Sequence, residues 1–130
     1  MADLPIRVVI VDDDEDVRDL LVMLLELDQR FELVGVAADA PAGLALVQDL
    51  VPDALVMDLD MPEVSGLELL ESVSKLALDV RVVVFSAFPD PFTLLDVLGR
   101  GADGYVDKAT AWAELLPAVA NLFHGHPVSV

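Results

Sequence analysis

The chain has 130 residues, a formal net charge of −17 at pH 7 and no cysteine. This length suits one ordinary domain, and without thiols neither a disulfide framework nor a thiolate metal site can form. So acidic a surface repels phosphate backbones, and we therefore expect this chain not to bind nucleic acid directly. The first residues do not resemble a signal peptide, and no apolar run reaches the ~18 residues of a membrane span. A cytoplasmic protein with no membrane partner is expected.

Five short apolar runs alternate with helical patterns along the chain. Continuous apolar or β-branched character predicts strands at residues 8–11, 33–37, 54–57, 82–85 and 105–106. Apolar positions at helical spacing follow each strand, beginning with the stripe Val17, Leu20, Leu21, Leu24 and Leu25. Similar patterns predict helices around residues 44–47, 67–73, 92–98 and 112–123. Asp39, Asp90 and Thr110 are the predicted caps of the second, fourth and fifth helices.

This alternation predicts an α/β fold. Strand–helix repeats favour parallel strands with helices on both faces of the sheet. We expect a flavodoxin-like (βα)5 doubly wound sheet with strand order 2-1-3-4-5. In such sheets ligands bind outside the carboxyl ends of the strands, where the strand order reverses.

Polar residues follow four of the predicted strands, directly after three of them and one residue later after the fifth. They are Asp12, Asp13 and Asp14 after the first strand, Asp58 after the third, Ser86 after the fourth and Lys108 after the fifth. Carboxylates that converge repel one another unless a cation neutralises them, and oxygen-only ligands favour Mg²⁺ or Mn²⁺. Lys108 and Ser86 could donate to phosphoryl oxygens. Together these groups predict a phosphoryl-transfer site.

Each of these residues also has a simpler interpretation when it is taken alone. An aspartate after a strand is usually a helix N-cap, and Asp13 or Asp14 could be only that. Ser86 could be a loop hydroxyl, and Lys108 a solvated charge. The conjunction of four strand ends favours the functional interpretation.

The segments 8–18, 52–62, 82–87 and 101–108 resemble the response-regulator receiver family of two-component signal transduction, over about residues 6–124. The resemblance implies a phosphoacceptor at Asp58 and Mg²⁺ held by Asp12, Asp13, Asp58 and the backbone carbonyl of Asp60. It further implies that Lys108 pairs with the phosphoryl oxygens, and that Ser86 and Tyr105 form the switch. The implied phosphoryl donor is a sensor histidine kinase.

Three positions depart from the family pattern. Ala109 follows Lys108 where many receivers have proline, and a cis peptide is not expected there because non-proline cis bonds cost about 3–4 kcal/mol. Asp107 puts a charge where an apolar residue is usual. Asp60 adds a like charge two residues from the acceptor.

The chain's end resembles the exit of LuxR/NarL-type receivers. We therefore interpret residues 1–130 as one receiver domain, with residues 125–130 as an exit or linker toward an effector domain that would control transcription. A stand-alone receiver remains an alternative, and a homodimer remains open.

Two functions of other classes compete with this interpretation. A degenerate receiver used only for protein binding usually lacks one of the site residues, and all are present here. The segment Asp58-Leu59-Asp60 resembles the nucleophile of haloacid-dehalogenase-type phosphatases, but it follows the third strand instead of the first. We therefore expect the chain not to be an enzyme.

Overall fold

The protein is described by a computed structural model for residues 4–61, 65–87 and 91–123. The proposed cap Asp90 and the exit segment 125–130 lie outside these described residues. The strands are β1 (Ile6–Val11), β2 (Phe31–Ala37), β3 (Ala54–Met57), β4 (Arg81–Ser86) and β5 (Gly104–Asp107). The α-helices are α1 (Glu15–Glu26), α2 (Ala40–Leu50), α3 (Gly66–Lys75), α4 (Pro91–Gly99) and α5 (Leu115–Asn121), with a 3₁₀ helix at Trp112–Glu114 before α5.

The five strands form one parallel sheet in the order β2-β1-β3-β4-β5. The predicted α/β fold and strand order are therefore confirmed. The order reverses between β1 and β3, which pair from Val8 with Ala54 to Val11 with Met57. That pairing brings the carboxyl ends of β1 and β3 side by side.

Both faces of the sheet are covered by helices, which explains why the strands are apolar throughout. Alternate side chains of the central strands, such as Val9 and Leu55, pack with residues of α2 and α3. Their neighbours, such as Ile10 and Val56, pack with Leu21 of α1 and residues of α5 on the other face. A strand that must bury both of its faces cannot alternate apolar with polar residues.

Within the described residues, side-chain caps begin α1, α2 and α3. Asp39 accepts a hydrogen bond from the Ala42 N–H at 2.9 Å, as predicted, and Ser65 accepts one from the Glu68 N–H at 3.3 Å. Asp14 accepts from the Asp16 N–H at 2.9 Å and begins α1. These caps satisfy N–H groups that have no partner within the helix.

Two details of the predicted helices are wrong. Thr110 caps nothing: its hydroxyl donates to the Asp107 carboxylate at 3.2 Å, and the chain enters the 3₁₀ helix before α5. Leu20 belongs to the predicted buried stripe but is 42% exposed, whereas Leu21 and Leu25 are buried. Among the described residues, no helix is both long and apolar enough to cross a membrane.

Candidate functional site

The predicted site residues meet at the carboxyl edge of the sheet. Asp12 and Asp58 directly follow the paired ends of β1 and β3, and the Asp58 N–H donates to the Val11 carbonyl at 3.0 Å. Ser86 is the last residue of β4, and its carbonyl accepts from the Lys108 N–H at 3.2 Å. The parallel ladder therefore fixes the backbone of all four positions.

Asp12, Asp13 and Asp58 form an acidic cluster. Each offers one carboxylate oxygen, and these three oxygens lie within 4.8 Å of one another. Asp12 is 2% exposed and Asp58 5% exposed, while Asp13 lies on the surface. Asp14, the other candidate, caps α1 instead. All three members of the cluster were selected from the sequence as metal ligands, and the structure places two of them in buried positions and Asp13 on the surface.

Lys108 extends between the two buried carboxylates. Its Nζ lies 2.7 Å from Asp12 Oδ2 and 3.3 Å from Asp58 Oδ2. Burial lowers the pKa of Lys108, but the hydrogen bond to Asp12 and the charges of both aspartates outweigh burial, and the pKa lies above its ordinary value. Burial also raises the pKa of Asp12, and the hydrogen bond from Lys108 offsets that effect only in part. One ammonium for the three carboxylates of the acidic cluster leaves an excess of negative charge.

The Ser86 hydroxyl is directed at Asp58. This side chain is fully buried, and its Oγ donates to Asp58 Oδ1 at 2.6 Å. The same carboxylate oxygen accepts the Asp60 N–H at 3.3 Å. One oxygen of Asp58 is therefore held by two donors, and the other faces Lys108.

Tyr105 contacts the site through the backbone of Ser86. Its hydroxyl donates to the Ser86 carbonyl at 2.9 Å. Burial, followed by the charges of Asp107, Asp58 and Asp60, raises the pKa of Tyr105 well above its ordinary value. The hydroxyl consequently remains a donor at neutral pH.

The structure adds Gly66 and Arg18, which sequence analysis did not select. A Cβ at Gly66 would collide with the Asp58 carbonyl oxygen and lie 2.5 Å from Leu59 Cα, so only glycine lets α3 approach the backbone at Asp58 and Leu59. Arg18 Nη1 donates to the Asp12 carbonyl at 2.9 Å. The glycine at the start of a predicted helix was a usable signal, whereas nothing in the sequence indicated the contact of Arg18.

The departures noted in the sequence leave the geometry of this edge intact. The structure has no cis peptide bond among the described residues, so the Lys108–Ala109 bond is trans, as expected. Asp60 is exposed, and its N–H, not its carboxylate, reaches Asp58.

Comparison with known proteins relates this chain to one family. The profile of the response regulator receiver domain matches residues 8–120. The transcriptional regulatory protein LiaR of Bacillus subtilis (strain 168) is 33% identical over 122 residues, which are 94% of this chain and 58% of that protein. A protein-glutamate methylesterase/protein-glutamine glutaminase of Nocardioides sp. (strain ATCC BAA-499 / JS614) is 38% identical over 105 residues, covering 79% of this chain and 29% of that protein. The chain therefore spans less than two thirds of these relatives.

Among solved structures, the chain is similar to the signal receiver domain of the putative response regulator NarL from Mycobacterium tuberculosis. The TM-score is 0.87 at 31% identity, and the match covers 94% of this chain and 98% of that one. Fold and sequence thus agree along nearly the whole described chain.

Proposed function

Because the chain belongs to the response-regulator receiver domain family, we propose that Asp58 accepts a phosphoryl group from the phosphohistidine of a sensor histidine kinase. The observation that carries this proposal is the buried Asp58 carboxylate, which has the Ser86 hydroxyl at 2.6 Å and the Lys108 ammonium at 3.3 Å. A carboxylate oxygen attacks phosphorus, the phosphorus–nitrogen bond breaks, and the imidazole leaves with its electron pair. The product is an aspartyl phosphate.

The residues fit Mg²⁺ as the accompanying ion, with Mn²⁺ as a second candidate. Asp12, Asp13 and Asp58 offer hard oxygen donors close together, and we assign the remaining protein ligand to the backbone carbonyl of Asp60. A divalent cation would balance the carboxylates that Lys108 alone leaves uncompensated. When bound, the ion would neutralise charge that develops on the phosphoryl oxygens.

Lys108, Ser86 and Tyr105 have distinct proposed roles. Lys108 pairs with a phosphoryl oxygen, since its Nζ already faces Asp58. The Ser86 hydroxyl leaves Asp58 Oδ1 and turns to the phosphoryl group. When the Ser86 hydroxyl is drawn inward, it opens space for the neighbouring Tyr105 ring, whose hydroxyl is bonded to the Ser86 carbonyl, and this couples the site to the outer face of β5.

We further propose that residues 1–130 act as one receiver domain whose output controls transcription through an effector domain. LiaR, which this chain matches over 58% of its length, is named a transcriptional regulatory protein. We expect the kinase and a second copy of the chain as partners, and no direct contact with DNA because of the net charge of −17. The phosphatase interpretation finds no support, since Asp58 follows the third strand.

Phosphorylation tests the central proposal. The purified protein is incubated with acetyl phosphate and Mg²⁺, with and without EDTA, and its intact mass is measured. The wild type should gain one phosphoryl group only with the metal, and Asp58→Asn should gain none. Asp49→Asn, at an exposed position of α2, serves as the matched control and should behave as the wild type. Full modification of Asp58→Asn, or of the wild type in EDTA, contradicts the proposal.

The switch has a separate test, because Tyr105 is the chain's single tyrosine. Tyrosine-selective labelling therefore yields one ring signal, which should move when beryllofluoride and Mg²⁺ are added. Ser86→Ala should still bind beryllofluoride but lose most of that movement, while Ser72→Ala should keep it. If the ring signal of Ser86→Ala moves as in the wild type, Ser86 does not couple the site to Tyr105.

A further inference from the structure

The turn that follows β5 is held by one side chain, Asp107. Its Oδ1 accepts the Ala109 N–H at 2.9 Å, and its Oδ2 accepts the Thr110 hydroxyl at 3.2 Å. Its backbone carbonyl also accepts the N–H groups of Thr110 at 3.3 Å and Ala111 at 2.8 Å. A single residue thus accepts four hydrogen bonds from the three residues that follow Lys108.

Lys108 stands between Asp107 and the groups that Asp107 binds. The Lys108 N–H donates to the Ser86 carbonyl, so the backbone is fixed on both sides of this residue. Ala109 retains the N–H that a proline would lack, and this is the group that Asp107 captures. A hydrogen-bonded turn here supplies rigidity that a proline ring would otherwise supply through its fixed φ.

Asp107 does not neutralise Lys108 directly. In the described part of the chain, the ion pairs of Lys108 are with Asp12 and Asp58. Both oxygens of the Asp107 carboxylate are bonded within the turn, to the Ala109 N–H and the Thr110 hydroxyl. Its influence on Lys108 therefore passes through the backbone.

We propose that Asp107 is a positioning residue for Lys108: by closing the 107–111 turn, it aims the Lys108 ammonium at the two buried carboxylates. The expected effect on the rate of phosphorylation rests on the proposed function. The position of the Lys108 side chain is a property of the unphosphorylated protein and can be measured without that reaction.

Two substitutions separate the turn from the charge. Asp107→Ala removes both side-chain acceptors. Asp107→Asn retains an oxygen that accepts the Ala109 N–H, places an amide NH₂ where it can donate to the Thr110 hydroxyl oxygen, and removes the charge. A misplaced reacting group is costly, so Asp107→Ala should be phosphorylated by acetyl phosphate about tenfold more slowly. Asp107→Asn should react at least as fast as the wild type.

Lysine-selective labelling gives the direct readout. The chain has only two lysines, and Lys75→Arg assigns their signals. Lys108 Nζ lies 5.8 Å from the centre of the Phe85 ring, so its ε-methylene should carry a ring-current shift. In metal-free protein, Asp107→Ala should move this signal toward that of Lys75, and Asp107→Asn should leave it in place.

The outcomes decide the proposal independently of phosphorylation. An unmoved Lys108 signal in folded Asp107→Ala, or equal displacement in Asp107→Asn, overturns it. Should Asp107→Ala fail to fold, Thr110→Val removes one of the two side-chain contacts and must displace the signal in the same direction by less; no displacement counts against the proposal. If acetyl phosphate modifies none of the proteins, the proposed function fails while the lysine signals still test the positioning role.

Discussion

At the residue scale, Asp53 and Asp103 each extend the hydrogen bonding of the sheet at the amino ends of its strands. Asp53 Oδ2 accepts the Arg7 N–H at 2.8 Å, and the Asp53 N–H donates to the Arg7 carbonyl at 2.9 Å. Asp103 forms the same reciprocal pair with Val82, at 2.7 Å in both directions. Each aspartate supplies a ladder partner where the neighbouring strand has not yet begun, so its carboxylate has a structural role far from the acidic cluster.

Removing one of these carboxylates should cost stability. Asp103→Ala leaves the N–H of Val82, a buried residue, without its acceptor, and an unpaired buried donor costs about 1–3 kcal/mol. We expect that loss in the free energy of unfolding measured with urea, and a smaller loss for Asp103→Asn. The control is Asp79→Ala, because the Asp79 side chain is 97% exposed and its ion-pair distance is 4.0 Å. A wild-type value for Asp103→Ala would contradict this role.

At the scale of elements, the first three helices have hydrogen-bonded caps at their amino ends, whereas two of them are followed by residues in a strained backbone conformation. Side-chain caps start α1, α2 and α3, but the residues that turn the chain after α2 and α3 are Val51 (φ 41°) and Ala77 (φ 54°). Left-handed backbone conformations favour glycine, since a Cβ costs roughly 1–2 kcal/mol there. The sequence pattern predicted that these two helices exist, but not the backbone conformation of the residues that follow them.

One substitution made at two sites should therefore act with opposite sign. Ala77→Gly relieves the left-handed residue after α3 and should raise the free energy of unfolding by about 1 kcal/mol. Ala45→Gly, at an exposed position inside α2, should lower it by about 1 kcal/mol because glycine weakens helix interiors. Thermal and urea unfolding of both variants provide the measurement. Destabilisation by both would show that the conformation at Ala77 carries no recoverable strain.

For the molecule as a whole, the dominant property is its charge. There are 24 acidic residues against seven lysines and arginines, and several of those cations, such as Arg30 and Arg100, are already paired within the described chain. Uncompensated like charges destabilise the compact state through self-repulsion. The acidic cluster at the sheet edge concentrates that repulsion in one place.

Salt should therefore stabilise this protein, and Mg²⁺ should do so beyond its ionic strength. Raising NaCl from low concentration screens the repulsion and should increase the unfolding midpoint by a few degrees. MgCl₂ at equal ionic strength should increase it further, because an ion bound only by the folded state adds stability. Asp13→Asn, an exposed member of the cluster, should lose this excess and keep the NaCl response. An identical effect of the two salts on the wild type would argue against a magnesium site.

Sequence alone determined the fold class and predicted most of the residues that meet in the candidate site. Apolar runs of the right length and period predicted five strands and five helices, and chain order then dictated that Asp12, Asp58, Ser86 and Lys108 follow strands whose ends share one edge. Strand periodicity and strand-end position are local properties, and a sequence displays them directly.

Only the tertiary structure decided which contacts each of those residues makes. The three consecutive aspartates after β1 look alike in sequence, yet Asp12 is buried beside Lys108, Asp13 stays exposed in the cluster and Asp14 caps α1. The sequence predicts Thr110 as the cap of the last helix, yet its hydroxyl donates to the Asp107 carboxylate. These outcomes depend on which atoms approach within hydrogen-bond distance from segments far apart in the chain, and that distance is set by the packing of the sheet and its helices, which no local pattern encodes.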